Sequence, residues 1–411
     1  MRKVARVECA LLFRMPSRPE PAQSIGHSGM ATLRITDYGL RAAAGAIPLN
    51  IRNRFINCLT FQPVDRIPVQ DLGYWPETIE RWHHEGLPKW VTEQRHVEDY
   101  LQIDRSWNCN WLDINQGIYP GFERQVLSET ENEEIVRDEE GVTLRTQKHY
   151  KSIPQFIRFP VETEADYEAL RPRLDGRDPG RYPADFDEDL HWRQERGEIV
   201  GLNFHGFFGF GRGLMGLENW CMAFYDQPDL VRRIVADRVQ LARDLLPRLF
   251  ATGALDFVQI WEDMAYKAGP LLSPRLVREY FSPGYADLVQ LFRRNGVRLI
   301  MVDSDGQANA LVPLWREAGI DGMHPCEIAA GADPILIRRQ NPGCALQGGM
   351  DKRLIAAGRE GIDAELRRLL PLIQEGGFIP ELDHFVPPDV SFQDYVYYCE
   401  RRRELFARIG N

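Results

Sequence analysis

The sequence predicts one large (β/α)8 barrel of the α/β class. From about residue 195 onward, short apolar runs alternate with longer segments of helical periodicity. That rhythm belongs to parallel strands joined by helical crossovers. The chain has 411 residues, enough for a closed barrel, which takes roughly 250 residues or more as one unit. Run after run also ends in an acid or a histidine, on the rim where barrel enzymes keep their chemistry.

Taken in order, Arg66–Leu72 (RIPVQDL) reads as the first barrel strand, and residues 75–105 read as helical with a loop at Gly86-Leu87-Pro88. Over 123–150, alternation such as Val142-Thr143-Leu144-Arg145-Thr146 beside the turn Asp138-Glu139-Glu140-Gly141 predicts a small β-hairpin insert. Glu198–His205 reads as a strand, Asp229–Thr252 as a helix, and Phe257–Trp261 as a strand. Ser273-Pro274 opens another helix, because serine accepts from the first unpaired amides and proline suits the first turn. Strands are then expected at Arg298–Val302, Gly319–Met323, Cys344–Gln347 and Gly377–Pro380, and helices at Ala308–Ala318, Pro334–Arg339, Gly361–Glu375 and Phe392–Ile409. The barrel domain is assigned to 49–411. Residues 1–48 have weak periodicity and read as a loosely ordered N-terminal extension, with Met30 as a start for a shorter product.

Composition narrows the function. With 44% hydrophobic and 27% charged residues, the chain has ordinary globular make-up. No apolar run reaches the roughly 18 residues of a membrane span. Glu8 interrupts the short N-terminal apolar run and no small-residue cleavage site follows, so no secretory signal is read and a cytoplasmic location is expected. The net charge of −10 with no basic block argues against nucleic acid. Seven scattered cysteines without a CxxC fit reduced thiols.

The candidate site is the set of residues that follow the apolar runs. These are His205-Gly206, Glu262-Asp263, Asp303-Ser304-Asp305, His324-Pro325-Cys326-Glu327, Asp351 and Asp383-His384. Any one of them is as readily a turn former or helix cap. Gathered at one mouth, they need a cation or shifted proton affinities, and a divalent metal is the simplest cation. His324-x-Cys326 with Cys399 imitates a zinc set, but Cys399 falls inside the predicted last helix. Trp82-His83-His84-Glu85 imitates a ligand cluster, but adjacent helical residues face different ways. The glycine-rich stretch Gly206–Gly213 lacks the spacing of a dinucleotide fingerprint. It is read as a wall or lid as readily as a loop packing its phenylalanines into the core.

These residues resemble the uroporphyrinogen decarboxylase superfamily, which includes corrinoid-linked methyltransferases. The resemblance runs from about Asn53 to Arg403. It is carried by RFINCLTFQPVDRIPV (54–69), GYWPETIERWHHEGLP (73–88), SIPQFIRFPV (152–161), WEDMAYKAGPLLSP (261–274), DSDG (303–306), GIDGMHPCEIAAGADP (319–334), GGMDKRLIAAG (348–358) and GGFIPELDHFVPPDVSFQDY (376–395). The family's decarboxylases carry an arginine-bearing PxWxMRQAGR motif after the VDRxP-like segment. Here VQDLGYWPETIERW follows Pro68, without that arginine. Their polycarboxylate substrate needs basic groups, which an acidic mouth does not offer. The zinc-dependent methyltransferase branch holds its metal with an H-x-C pair and a late Cys. Those positions match Asp303-Ser304-Asp305 and His384 here, so the thiolates are replaced by harder ligands.

The resemblance therefore implies a metal-dependent methyltransferase or demethylase. It would move a methyl group from a small, methoxylated or similar compound to a corrinoid on a partner protein or a like acceptor. Glu262, Asp305 and His384 are the expected ligands of zinc or another first-row divalent metal. Asp303 and Asp383 are expected to orient the ligands, His205, His324, Glu327 and Asp351 to contact substrate or move protons, and Tyr74, Trp75 and Phe207 to wall the pocket. Two alternatives stay open: a decarboxylase-type lyase of porphyrin biosynthesis, and a non-catalytic barrel that binds a corrinoid or a partner. A homodimer is expected by resemblance alone.

Overall fold

The structure, a computed structural model, describes residues 49–109, 111–148 and 154–407. The extension assigned to 1–48, with Met30, and the predicted helix end at 408–409 lie outside the described residues. Six parallel strands form one sheet in chain order: β1 Gly201–His205, β2 Phe257–Trp261, β3 Leu299–Asp303, β4 Gly322–Cys326, β5 Ala345–Met350 and β6 Phe378–Leu382. Every residue of β5 and β6 is buried, as strands covered on both faces require. Between strands run helices such as Pro228–Leu245, Ser282–Arg294 and Arg359–Glu375, each burying one apolar stripe. Among the described residues, no helix is long and apolar enough to cross a membrane.

The two remaining staves of the ring are not regular strands: one runs over Arg66–Tyr74, and the other, between Asp104 and Leu112, includes a 3-10 turn at Trp107–Cys109. The segment predicted as the first strand, Arg66–Leu72, runs beside β6, where Val386 donates to the Gly73 carbonyl at 2.9 Å. The second stave reaches β1 through Leu112, which donates to the Gly201 carbonyl at 3.0 Å. Asp104 N–H in turn donates to the Val69 carbonyl at 2.9 Å, joining the two staves. Pro68 has no N–H to give, and carboxylates take over ladder positions. Asp71 accepts from Leu382 N–H at 3.0 Å and Asp104 from Val69 N–H at 2.8 Å. The predicted (β/α)8 architecture is thus built from six laddered strands and two staves held largely by side chains.

Boundaries shift where backbone needs were invisible in the sequence. The helix expected through Thr252 breaks at Pro247 into Pro228–Leu245 and Pro247–Ala251. The strand expected at Gly319–Met323 begins at Gly322, where a Cβ would lie 1.8 Å from the Ala345 carbonyl oxygen, so only glycine lets β4 and β5 approach. The predicted hairpin is present, with Glu133–Arg137 and Thr143–Gln147 paired antiparallel across the Asp138–Gly141 turn. It belongs to a four-stranded antiparallel sheet with Gln125–Glu129 and Gln155–Arg158.

The terminal helix Phe392–Phe406 ties down the first stave. Arg402 pairs with Asp71 at 2.6 Å, and neither side chain is exposed. Tyr395 and Tyr398 hydroxyls donate to the same carboxylate at 2.7 and 3.2 Å. Removing one member of such a pair leaves a buried charge unanswered. Arg402→Met is therefore expected to lower the unfolding free energy by about 3–5 kcal/mol. A urea titration at unchanged slope reads this, with Asp71→Asn/Arg402→Met recovering part of the loss. A single variant with the wild-type midpoint would show that the pair closes nothing.

Candidate active site

The helix Phe207–Met215 starts directly after β1, and its first amides face Glu262, the residue that follows β2. Phe207 N–H donates to Glu262 Oε1 at 2.8 Å, and Phe208 and Gly209 N–H donate to Oε2 at 2.6 and 3.2 Å. The Tyr285 hydroxyl adds a fourth bond at 2.6 Å. A helix N-terminus offers unpaired N–H groups and a positive field, which a carboxylate answers well. Gly206 makes room: a Cβ there would stand 2.2 Å from the Glu262 carboxyl carbon. Burial raises Glu262 to about 7, against the pull of those bonds. Its lone pairs are committed to the helix, so Glu262 is an anchor and not a metal ligand.

Arg212, one turn further along that helix, reaches back over the rim. It pairs with Asp263 at 2.6 Å, and its Nη1 donates to the Asp263 carbonyl at 2.9 Å. Asp263 has φ of 43°, a left-handed conformation that this double grip maintains. Next to it, Asp303 closes β3 and accepts from Gln259 Nε2 at 2.7 Å. The Gln259 carbonyl oxygen lies 2.7 Å from His324 Nε2. Gln259 thus orients Asp303 on one side and fixes His324 on the other. Burial, and then the charges of Asp263 and Glu327, hold Asp303 well above the ordinary carboxylate range.

Asp305 and His384 face each other, with Oδ2 and Nε2 3.8 Å apart. Trp75 stacks on the His384 ring at 6.1 Å and 14°, and Phe385 supports Trp75 edge-on at 5.3 Å. Burial, then Glu327, Asp263 and Asp303, push Asp305 well above the carboxylate range, while Lys352 opposes the shift. The Asp305 side chain is still 33% accessible, so solvent in the mouth moderates the effect of burial. Burial and the nearby Lys352 charge lower His384 to about 4, so its ring is neutral at physiological pH. Lys352 Nζ sits 3.5 Å from Glu327 and 3.8 Å from Asp383. Glu327 also accepts from Gly306 N–H at 2.8 Å, and Asp383 from Ile328 N–H at 3.0 Å, so both tie rim loops together. Burial raises Asp383 to about 6.

Of the predicted residues, Asp303, Asp305, Glu327, Asp383, His384 and Trp75 come together around this mouth. His205 ends β1 beside Trp261, with ring centroids 5.4 Å apart, and burial lowers it to about 4. The others lie elsewhere. His324 is inside β4 rather than after it, because the strand runs on to Cys326, and its ring is in the barrel interior. Asp351 caps the helix Lys352–Ala356 and pairs with Arg353 at 2.6 Å. Phe207 packs into the core against Phe281 and Tyr285, and Tyr74 is buried with its hydroxyl on Tyr395 at 2.8 Å, so neither walls a pocket. Lys352, Arg212 and Gln259 were missed. Gln259 left a signal as the polar residue in FVQIW, and Arg212 as the charge in a Gly/Phe stretch. Lys352 left none beyond its neighbour.

The predicted metal set does not assemble. Glu262 is spent on the helix, and no group of three or more His, Cys, Asp or Glu suited to a metal ion occurs among the described residues. Asp305 and His384 supply two donors, fewer than the three protein ligands of an ordinary catalytic zinc site.

Comparison with known proteins agrees with the barrel. Residues 209–405 match the uroporphyrinogen decarboxylase (URO-D) family profile. No curated protein matches the sequence. Among solved structures, a methyltransferase from Methanosarcina mazei superposes with a TM-score of 0.56 at 14% identity, covering 86% of this chain and 98% of that one. A 2,3-dimethylmalate lyase, a PEP mutase/isocitrate lyase superfamily member, aligns over 61% of this chain and 87% of that one at 14% identity. Its TM-score of 0.22 is too low to bear on the fold.

The buried imidazole of His324 has a direct consequence for stability. Burial lowers it to about 3, against an ordinary value of 6.5. Below pH 6.5 the unfolded chain takes up a proton that the folded ring refuses. The stability His324 permits is therefore complete above about 6.5 and is lost as pH falls toward about 3. Relative to wild type, His324→Gln should gain about 1.4 kcal/mol per pH unit across that window. Urea unfolding at a series of pH values reads the difference, and an offset that does not change with pH would contradict it.

Proposed function

We propose, from the premise that this chain is a uroporphyrinogen decarboxylase-like protein through residues 209–405, that it is a methyltransferase or demethylase driven by proton donation at the Asp305–His384 pair. The observation that carries the reading is that pair, 3.8 Å apart beneath Trp75 in a rim with more carboxyls than cations. A carboxyl kept protonated there is a general acid at neutral pH. Asp305 gives its proton to the oxygen of a small methoxylated compound as the methyl–oxygen bond breaks. The methyl group passes to an external nucleophile, and the oxygen leaves as a hydroxyl. His384, neutral and within reach through a small rotation or one water, takes a proton from solvent and returns it to Asp305. Lys352 lowers the cost of the transient Asp305 carboxylate. Trp75 limits rotation of the His384 ring and offers a flat apolar face to the substrate.

The acceptor in this reading is a nucleophile that enters from the mouth, a corrinoid on a partner protein being the one expected by resemblance. No step runs through zinc or another metal, because the ligand set is not assembled.

Asp305→Asn is expected to lower methyl transfer from a methoxylated substrate to reduced cobalamin by about 10²–10⁴-fold with an unchanged melting temperature. His384→Asn should lower it as well and remove the acidic limb of the pH profile. Full activity of Asp305→Asn, or turnover of uroporphyrinogen in place of methyl transfer, would overturn the reading.

A further inference from the structure

Beneath the mouth, the barrel interior holds polar side chains that the proposed chemistry does not use. Gln70 and Trp107 come from the two irregular staves, His324 from β4, Gln347 from β5 and Glu381 from β6, and none is more than 3% exposed. Trp107, His324, Gln347 and Glu381 adjoin one another, and Gln70 is fully buried in the neighbouring stave. Asp71 points outward to Arg402, so by alternation its neighbour Gln70 points into the barrel. Trp107 meets His324 edge-on with ring centroids 4.7 Å apart. Trp107 and Gln347 also flank the Glu381 carboxyl, yet neither closes a hydrogen bond of normal geometry with it.

Six atoms of this group have no hydrogen-bond partner among the described residues: Gln70 Nε2 and Oε1, Trp107 Nε1, His324 Nδ1, Gln347 Nε2 and Glu381 Oε2. Native proteins rarely leave buried polar atoms unpaired, and where protein does not serve them, ordered water does. Chemistry narrows the occupant. Gln70 Nε2, Trp107 Nε1 and Gln347 Nε2 can only donate. Gln70 Oε1 accepts, and so does His324 Nδ1, because His324 Nε2 carries the proton given to Gln259. An anion would find no cation among these five side chains, and a cation would meet three N–H groups. A small neutral molecule that both donates and accepts suits the set.

We propose that the lumen of this barrel is a closed hydration site, with ordered water bridging Gln70, Trp107, His324, Gln347 and Glu381. The site is joined to the rim by one side-chain path. Water on His324 Nδ1 fixes the tautomer that donates to Gln259, and Gln259 holds Asp303. This inference does not depend on the methyltransferase reading.

Two measurements on the full chain test it without any substrate. A high-resolution crystal structure is expected to show ordered water within hydrogen-bond distance of Gln70, Trp107 and Glu381. A dry lumen, or a metal or ammonium ion in that density, would overturn the assignment. Gln70→Met supplies the second readout. In a hydrated site it strands the remaining water partners and should lower the melting temperature by about 2–4 °C. In a dry site it removes two unpaired atoms and should leave the melting temperature equal or higher, which would also overturn the inference.

Discussion

Charge balance at the rim is the constraint from which the rest follows. Asp263, Asp303, Asp305, Glu327 and Asp383 crowd one end of the barrel, and Arg212 and Lys352 are the cations the structure sets against them. Arg212 is committed to Asp263, and Lys352 divides its charge between Glu327 and Asp383. Like charges at this density raise one another's proton affinity away from bulk water, and Asp303 and Asp305 are both held well above the ordinary carboxylate range. A metal would be another way to meet the same constraint, but it requires convergent lone pairs. Here those lone pairs are spent on Gln259, on rim-loop amides and on the helix after β1.

The same side-chain type does opposite work at the two ends of the barrel. At the strand starts, Asp256 accepts from Val200 N–H at 2.9 Å and pairs with Arg52 at 2.7 Å, while Asp321 accepts from Ile300 N–H at 2.7 Å and pairs with Arg293 at 2.6 Å. Each of these carboxylates has both a backbone donor and a guanidinium, and it finishes a ladder. Asp71 with Arg402 follows the same rule inside the wall. At the strand ends, guanidinium partners thin out and backbone donors remain. Carboxylates that finish ladders are thereby separated along the barrel axis from those crowded at the rim, the end where barrel enzymes commonly keep their chemistry.

How much of this could be read beforehand depends on what each residue's signal was. Parallel strands buried on both faces leave unbroken apolar runs, so FVQIW and RLIMV were legible and sit within one residue of their predicted positions. The first stave was recognised as part of the wall but not as irregular, because its hydrogen bonds come from Asp71 and Asp104, whose partners lie far away in sequence. The rim acids were legible because they follow apolar runs. Their division into anchors and reactive groups was not. Glu262 and Asp305 look alike in sequence, and only the return of the chain after Gly206 shows that a helix end claims one of them. His324 was misplaced by a strand that ran three residues longer than GIDGM suggested.

These points bear on which substrates the mouth can admit. A polyanionic substrate would add charge to a rim that already raises the proton affinity of its own carboxyls, and each added charge would raise it further. A neutral molecule avoids that cost. It meets a flat indole, a neutral imidazole and carboxyls able to donate hydrogen bonds, a combination suited to an ether or hydroxyl oxygen beside an apolar body. In the proposed reading the rim is a filter as well as a source of protons, because the crowding that raises the proton affinity of Asp305 also disfavours polycarboxylates. Restoring polyanion binding would take an additional cation near Asp303 or Asp305, and that cation would draw the proton off the group proposed to donate it. Within this barrel, holding a polycarboxylate and donating a proton from Asp305 are therefore competing uses of one site.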